Sequence, residues 1–234
     1  MTTYTADEMM AVEAARRIDD GTVCFVGIGL PSLAANLARR THAPASVLVY
    51  ESGTIGAKPE ALPLSIGDGE LAETADAVVS VPEMFGYWLQ GGRIDLGFLG
   101  AAQIDRHGNL NSTVIGTYDS PSVRLPGGGG APEIALGVGD VFVMLRHSTR
   151  AFVEQLDFIT TLGDDVRVVV TDLGILEPVE GELTLVAVHP GVDADAARAA
   201  TAWDLRVASD LRQSEPPTSA ELAALRSLRA RTAA

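Results

Sequence analysis

Glu51 is the residue whose type and setting first suggest chemistry. It follows Val47-Leu48-Val49-Tyr50, an apolar and largely β-branched run with turn formers on both sides, and it precedes Ser52-Gly53. That pattern predicts a buried strand over 46–50 rather than a helix. A carboxylate directly after such a strand stands at its carboxyl end, where open α/β sheets place their ligands. Glu51 is therefore either a catalytic nucleophile or a residue that solvates a strand end. Two glycine segments could serve a site of this kind. Gly27-Ile28-Gly29 lies between an apolar run at 22–26 and a helical pattern at 32–40 that ends in Arg39-Arg40. Amides at such a strand–turn–helix junction can approach an anion or an oxyanion, although a purely structural tight turn has the same pattern. Leu30-Pro31-Ser32 stands where a dinucleotide fingerprint would need its third glycine. The second segment, Leu125-Pro126-Gly127-Gly128-Gly129-Gly130-Ala131-Pro132, cannot be a core element. A flexible linker would explain it, but its bounding prolines and apolar flanks favour a backbone-lined ligand loop.

Other reactive side chains carry weaker signals. Cys24 sits in Val23-Cys24-Phe25-Val26 and reads as a buried, inert thiol. As the single cysteine it excludes an internal disulfide and any multi-cysteine metal site, and it fits a reducing compartment. His107 lies in a polar turn and is expected to be exposed. His147 and His189 have no carboxylate or cysteine at metal-ligand spacing, so no metal is expected, and His189 opens a His-Pro-Gly turn. Ser52 and Ser112 lack the context of a nucleophile elbow. Arg39, Arg40, Lys58 and Arg106 could meet anionic groups of a ligand or could simply be solvated.

These residues need elements to hold them. Thr5-Ala6-Asp7-Glu8 has the spacing of a capping box and predicts a helix over 6–19. Strands are expected at 22–26, 46–50, 76–81, 94–99, 141–145, 166–171 and 183–188, and helices at 32–40, 82–89, 193–201 and 218–229. A loop of about 20 residues is expected after Glu51, and long loops in compact domains are usually functional. Residues 105–111 predict the tip of a hairpin. Strands alternating with helices point to an open, mostly parallel α/β sheet flanked by helices, with one hairpin excursion, in a single domain over 1–234.

Composition narrows the function classes. With 47% hydrophobic and 21% charged residues the chain has an ordinary globular balance. A net charge of −14 argues against a surface built for nucleic-acid phosphates or anionic lipid. No apolar run approaches a membrane span and no signal core opens the chain, so a cytoplasmic protein is expected.

Several ordered segments together resemble the β subunit of class I coenzyme A transferases, closest to the glutaconate type. They are GIGLPSLAANLA (27–38), YESGTIGAKP (50–59), LPLSIGD (62–68), LGFLGAAQIDRHGNLNST (96–113), LPGGGGAP (125–132), FVEQLDFIT (152–160) and HPGVDADAARAAT (189–201). The resemblance covers nearly the whole chain and implies the CoA-transferase (NagB–RpiA-like) fold and an α-subunit partner in a heterodimer or heterotetramer. It implies no permanently bound cofactor, with coenzyme A instead as substrate and covalent intermediate. The family's catalytic glutamate falls on Glu51. Gly27, Ile28 and Gly29, with Gly128, Gly129 and Gly130, fall on segments that approach the reacting thioester, and the resemblance assigns oxyanion donation to Ile28 N–H and to the amide of Gly129 or Gly130. The substrate it implies is a dicarboxylate or another functionalised short acid. It leaves open a ring-opening hydrolase or a decarboxylase of the same fold, and a catalytically silent CoA-binding subunit.

Overall fold

A computed structural model describes residues 3–232. The chain forms two compact units, one made of the stretch up to Phe98 with Gly137–Gly139 and the segment from Pro216 onward, the other of Leu99–Leu136 and Asp140–Glu215.

In the first unit helix α1 (Ala6–Ala15) starts on a capping box, with Thr5 Oγ1 accepting from the Glu8 amide and Glu8 reaching back to the Thr5 amide. It ends earlier than the expected residue 19, because Arg17 and Ile18 donate to the carbonyls of Ala14 and Ala15, three residues back, and tighten the last turn. Strand β1 (Val23–Phe25) leads through Gly27-Ile28-Gly29 into helix α2 (Leu30–Arg40), and β2 (Val47–Val49) comes next. β1 pairs in parallel with β2, Phe25 opposite Val49, and on its other side with β5 (Leu96–Leu99). The core between helices and strands is apolar, with Met9, Met10, Leu33, Leu37 and Leu48 fully buried.

The chain after Glu51 follows the expected loop of about 20 residues only in part, since residues 56–68 are irregular but a strand precedes them. It turns back at once into β3 (Thr54–Ile55), antiparallel to β2, and then reaches β4 (Ala77–Val78), antiparallel to β3. Only two residues of the expected 76–81 strand pair, because Ser80 accepts from the Glu83 amide and starts a helical turn at Val81–Glu83. That turn continues as a π-helix, Met84–Leu89, which completes the short helix expected over 82–89. The C-terminal helix Ser219–Thr232 buries Leu222, Leu225 and Leu228, the face its spacing predicts.

In the second unit β6 (Gln103–Ile104) and β7 (Leu110–Asn111) form the expected hairpin around residues 105–109. A second hairpin, β8 (Val114–Gly116) with β9 (Pro121–Arg124), leads into the four glycines. β10 (Asp140–Met144) and β11 (Val166–Val170) are parallel, and β12 (Gly174–Val179) and β13 (Glu182–Val188) make a hairpin. Its two turn residues, Glu180 (φ 53°) and Gly181 (φ 82°), are both left-handed, as a tight two-residue hairpin requires. β14 (Arg206–Gln213) is parallel to β13. The open sheets flanked by helices agree with the expected α/β class. Strands β8, β9, β12 and β14 add to it.

Candidate active site

The site is built at the carboxyl ends of β1 and β2. The Val47 amide donates to the Thr22 carbonyl (3.0 Å) and the Val26 amide to the Val49 carbonyl (2.8 Å), so the two strands finish side by side. Neighbouring strands lie about 5 Å apart. β1 runs out into the glycine turn, and β2 runs out, through Tyr50, into Glu51.

Glu51 occupies a tight turn. The Gly53 amide donates to the Tyr50 carbonyl (2.9 Å) and the Tyr50 amide to the Thr54 carbonyl (3.0 Å), which closes the hairpin around Glu51 and Ser52. Glu51 is half-buried at the tip. Gly53 has φ 98°, and a Cβ there would stand 2.0 Å from the Val79 carbonyl oxygen. Only glycine permits that backbone and that approach. β4 thus braces the turn from outside, with the Val79 amide donating to the Gly53 carbonyl (2.9 Å). A carboxylate on a turn held at both ends keeps its position without further ordering.

The turn after β1 is electrically prepared for an anion. Gly29 (φ 83°) is the N-cap of α2 and no side chain caps it, while Pro31 contributes no amide to the first turn. The amides of Gly27, Ile28 and Gly29 donate to no acceptor among the described residues. Such N–H groups at a helix start carry partial positive charge. A Cβ on Gly27 would approach nothing closer than Pro31, at 3.9 Å. The protein itself leaves room in front of this turn.

Below the two turns lies a polar layer that pattern reading passes over. Ser32 and Asn36, one turn apart on α2, are fully buried, and so is Tyr50. Ser32 Oγ and Tyr50 Oη are 3.3 Å apart, and Asn36 Nδ2 donates to the Ser32 carbonyl at 2.9 Å. Burial pushes the Tyr50 phenol above its ordinary range, so it stays neutral. A serine and an asparagine four residues apart within the otherwise apolar stretch 30–38 of α2 are the signal in the sequence for this layer.

Gly128, Gly129 and Gly130 belong to the second unit. Here the loop is pinned by side chains: the Gly127 amide donates to the Ser112 carbonyl (2.8 Å), and Ser112 Oγ donates to the Gly127 carbonyl (3.0 Å). Thr160 Oγ1 accepts from the Ser112 amide (2.9 Å) and bonds Thr113 Oγ1 (2.7 Å). Gly127 (φ 99°) and Gly129 (φ 52°) are left-handed, and the amides of Gly128 and Gly129 donate to no acceptor among the described residues. The segment is an ordered loop rather than a linker.

The weaker candidates resolve into structural parts. Cys24 is fully buried, and burial raises its thiol well above the usual range, which leaves it inert. His107 is exposed, with Nδ1 3.0 Å from the Gly181 carbonyl. His189 is buried between the Thr171 carbonyl (2.8 Å) and Ser214 Oγ (3.2 Å). His147 stacks on Phe152 at 3.8 Å and reaches the hydroxyls of Thr201 (2.8 Å) and Thr171 (3.3 Å); burial lowers its pKa to about 4. Arg40 donates to the carbonyls of Pro59 (2.8 Å) and Glu60 (3.0 Å), Lys58 pairs with Asp76, and Arg106 pairs with Glu154 (3.6 Å). Arg39 has no ion-pair partner among the described residues. No three His, Cys, Asp or Glu side chains among them converge as metal ligands, and no helix is long and apolar enough to cross a membrane.

Comparison with known proteins decides the family. The coenzyme A transferase family model matches residues 7–199. The chain belongs to the coenzyme A transferase family. The β subunit of 3-oxoadipate CoA-transferase from Pseudomonas knackmussii is 56% identical, over 100% of this chain and 96% of that one. Glutaconate CoA-transferase from Acidaminococcus fermentans superposes with a TM-score of 0.90 at 32% identity, covering 97% of this chain and 95% of that one. The decarboxylase AibA/AibB also superposes at 0.90, with 29% identity over 98% and 96% of the two chains. Together these make the chain a CoA-transferase β subunit of class I. Its fold is that of the CoA-transferases.

Proposed function

We propose that Glu51 is the nucleophile of this CoA-transferase and that the acid it serves is a 3-oxo dicarboxylate such as 3-oxoadipate. One observation carries the first part: the turn holding Glu51 leaves the sheet beside the uncapped turn at Gly27-Ile28-Gly29. The 56% identity to a 3-oxoadipate CoA-transferase subunit supports the second. An α subunit completes the enzyme, in keeping with that relative being one subunit of its own transferase, and residues 1–234 act as one β subunit.

The reaction runs as two acyl exchanges at one carboxylate. A Glu51 oxygen attacks the thioester carbonyl of the acyl-CoA, the C–S bond breaks, and a mixed anhydride and CoA thiolate result. The thiolate then attacks the glutamyl carbonyl, the anhydride C–O bond breaks, and the first acid leaves as its carboxylate. The incoming acid takes CoA from the glutamyl thioester by the reverse steps. Each step conserves charge and needs no oxidant or reductant. Negative charge appears on a carbonyl oxygen at each addition, and backbone N–H groups already aimed at that position lower the barrier without reorganising. The Ile28 amide fits this role, with Gly27 and Gly29 leaving space for the thioester. The family resemblance alone assigns the same role to the amide of Gly129 or Gly130, with Gly128 beside them as part of the CoA-binding loop.

The test uses the chain assembled with its α subunit. Acyl-CoA without acceptor should leave CoA covalently attached to this chain, seen by intact mass and absent in Glu51→Gln. Adding 3-oxoadipate should discharge the adduct, and glutaconate should do so more slowly. Because a decarboxylase shares the fold at equal TM-score, consumption of acyl-CoA to carbon dioxide or free acid with no adduct on the wild type would overturn the proposal.

A further inference from the structure

We infer that Tyr50 and Ser32 are positioning residues that hold the Glu51 turn in register with the amides at the start of α2, an inference that rests on Glu51 being the nucleophile. The structure supplies the link. Tyr50 is the residue directly before Glu51, and its hydroxyl lies 3.3 Å from Ser32 Oγ. Ser32 is the third residue of α2, in the same first turn as Leu30 and immediately past the Gly27-Ile28-Gly29 turn. The contact therefore joins the residue beside the nucleophile to the end of the helix that carries the proposed oxyanion donors. A bond to the middle or far end of α2 would set the helix only coarsely. Asn36 locks the serine in turn, through Nδ2 to the Ser32 carbonyl at 2.9 Å and to Ser32 Oγ at 3.4 Å.

Packing alone does not call for these groups. Their neighbours Leu33, Ala34, Ala35 and Leu37 are buried and apolar, and phenylalanine with alanine would fill the same space without the cost of desolvating two hydroxyls and an amide. Asn36 Oδ1 has no hydrogen-bond partner in the buried layer, so the arrangement is not the cheapest way to close this interface. What a buried polar contact adds is a defined alignment, because only one helix position satisfies it. Alignment matters here because an error of about 1 Å between nucleophile and oxyanion donors can cost about a hundredfold in rate.

Thr54 provides an internal control. It stands opposite Tyr50 across the hairpin, with its carbonyl accepting from the Tyr50 amide. Its buried Oγ1 has no hydrogen-bond partner. Thr54→Val thus changes the same hairpin at the same depth without touching the tie to α2.

The experiment measures the single-turnover rate of CoA-adduct formation, by intact mass, on the αβ complex at saturating acyl-CoA. Tyr50→Phe and Ser32→Ala should each slow it about tenfold, and the double variant should be about as slow as either single, as expected for two ends of one link. Half-saturating acyl-CoA should move less than about twofold, and Thr54→Val should match the wild type. The inference is overturned if Tyr50→Phe and Ser32→Ala keep the wild-type rate, if Thr54→Val slows it as much as they do, or if the two single effects multiply. Should Tyr50→Phe fail to fold, Ser32→Ala against Thr54→Val decides alone. A wild type that forms no adduct defeats the reading of Glu51 itself, which separates the two failures.

Discussion

The two glycine loops, Gly27-Ile28-Gly29 and Gly127 to Gly130, offer the same chemical resource by opposite means. In the first, one left-handed residue, Gly29, serves the strand-to-helix junction, and an eleven-residue helix sets the amides. A side chain on Gly27 would meet only Pro31, at 3.9 Å. In the second, Gly127 and Gly129 are both left-handed, a Cβ on Gly128 would press on Thr160 Cγ2 at 3.2 Å, and side chains from Ser112 and Thr160 tie the loop down. The four-glycine loop needs glycine for its own backbone, whereas Gly27 needs it only if something approaches from outside. Glycine at position 27 is thus a statement about a ligand, whereas at Gly29 and in the second loop it is largely a statement about the fold.

That difference can be broken or sharpened experimentally. The largest effect is expected at the residue only the first region carries: Glu51→Asp withdraws the carboxylate by one methylene and should lower kcat by at least about a hundredfold, with the fold unchanged by circular dichroism. A second test uses acid. Neutral His147, in the second unit, has its pKa lowered from 6.5 to about 4 by burial. The unfolded chain binds that proton first, so stability falls as pH drops from about 6.5 towards 4, by about 2 to 3 kcal/mol. The buried layer under Glu51 consists of Tyr50, Ser32 and Asn36 and has no group titrating there. Glu8 of the first unit, held below the usual carboxylate range by its hydrogen bond to Arg226, loses its contribution only under more acidic conditions. Amide exchange at pH 5 should therefore accelerate around β10 and β11 before it does around β1 and β2, and His147→Gln should remove the difference.

Glycine replacements test the loops directly. Gly129→Ala forces an alanine into a left-handed conformation and should cost about 1 kcal/mol in denaturant unfolding. Ser112→Ala removes one hydrogen bond to the same loop and should cost a similar or smaller amount, about 1 kcal/mol, while raising KM more than it lowers kcat. Gly27→Ala should leave stability within about 0.5 kcal/mol and yet reduce kcat/KM. If Gly27→Ala destabilises as much as Gly129→Ala, the contrast between the loops is wrong.

Much of this was legible along the chain. The capping box at Thr5, the strand before Glu51 and the leucine spacing of the last helix are local signals, and each appears where expected. The Glu180-Gly181 hairpin was not foreseen, because the strand before it, Gly174–Val179, contains Pro178 and does not read as a regular run. The loop of about 20 residues expected after Glu51 is interrupted by β3 for a physical reason. Gly53 and Gly56 read as loop residues, but their left-handed angles let β3 fold straight back, and the contact with Val79 that selects glycine is 26 residues away in sequence. Arg40, Lys58 and Arg106 looked available for an anion until the fold brought carbonyls and carboxylates to them.

By itself, then, the sequence determined β1, β2 and α2 beside the site, that a carboxylate comes after β2, and that glycine-rich turns stand before and after it in the chain. Those features depend on neighbours within a few residues, where dihedral preferences and hydrophobic period act. Only the tertiary structure decided that β1 and β2 end side by side, that Glu51 sits on a braced turn, and that Tyr50 meets Ser32 beneath it. Such contacts join residues 18 or more positions apart, and side-chain meetings at that separation are set by how helices pack on the sheet.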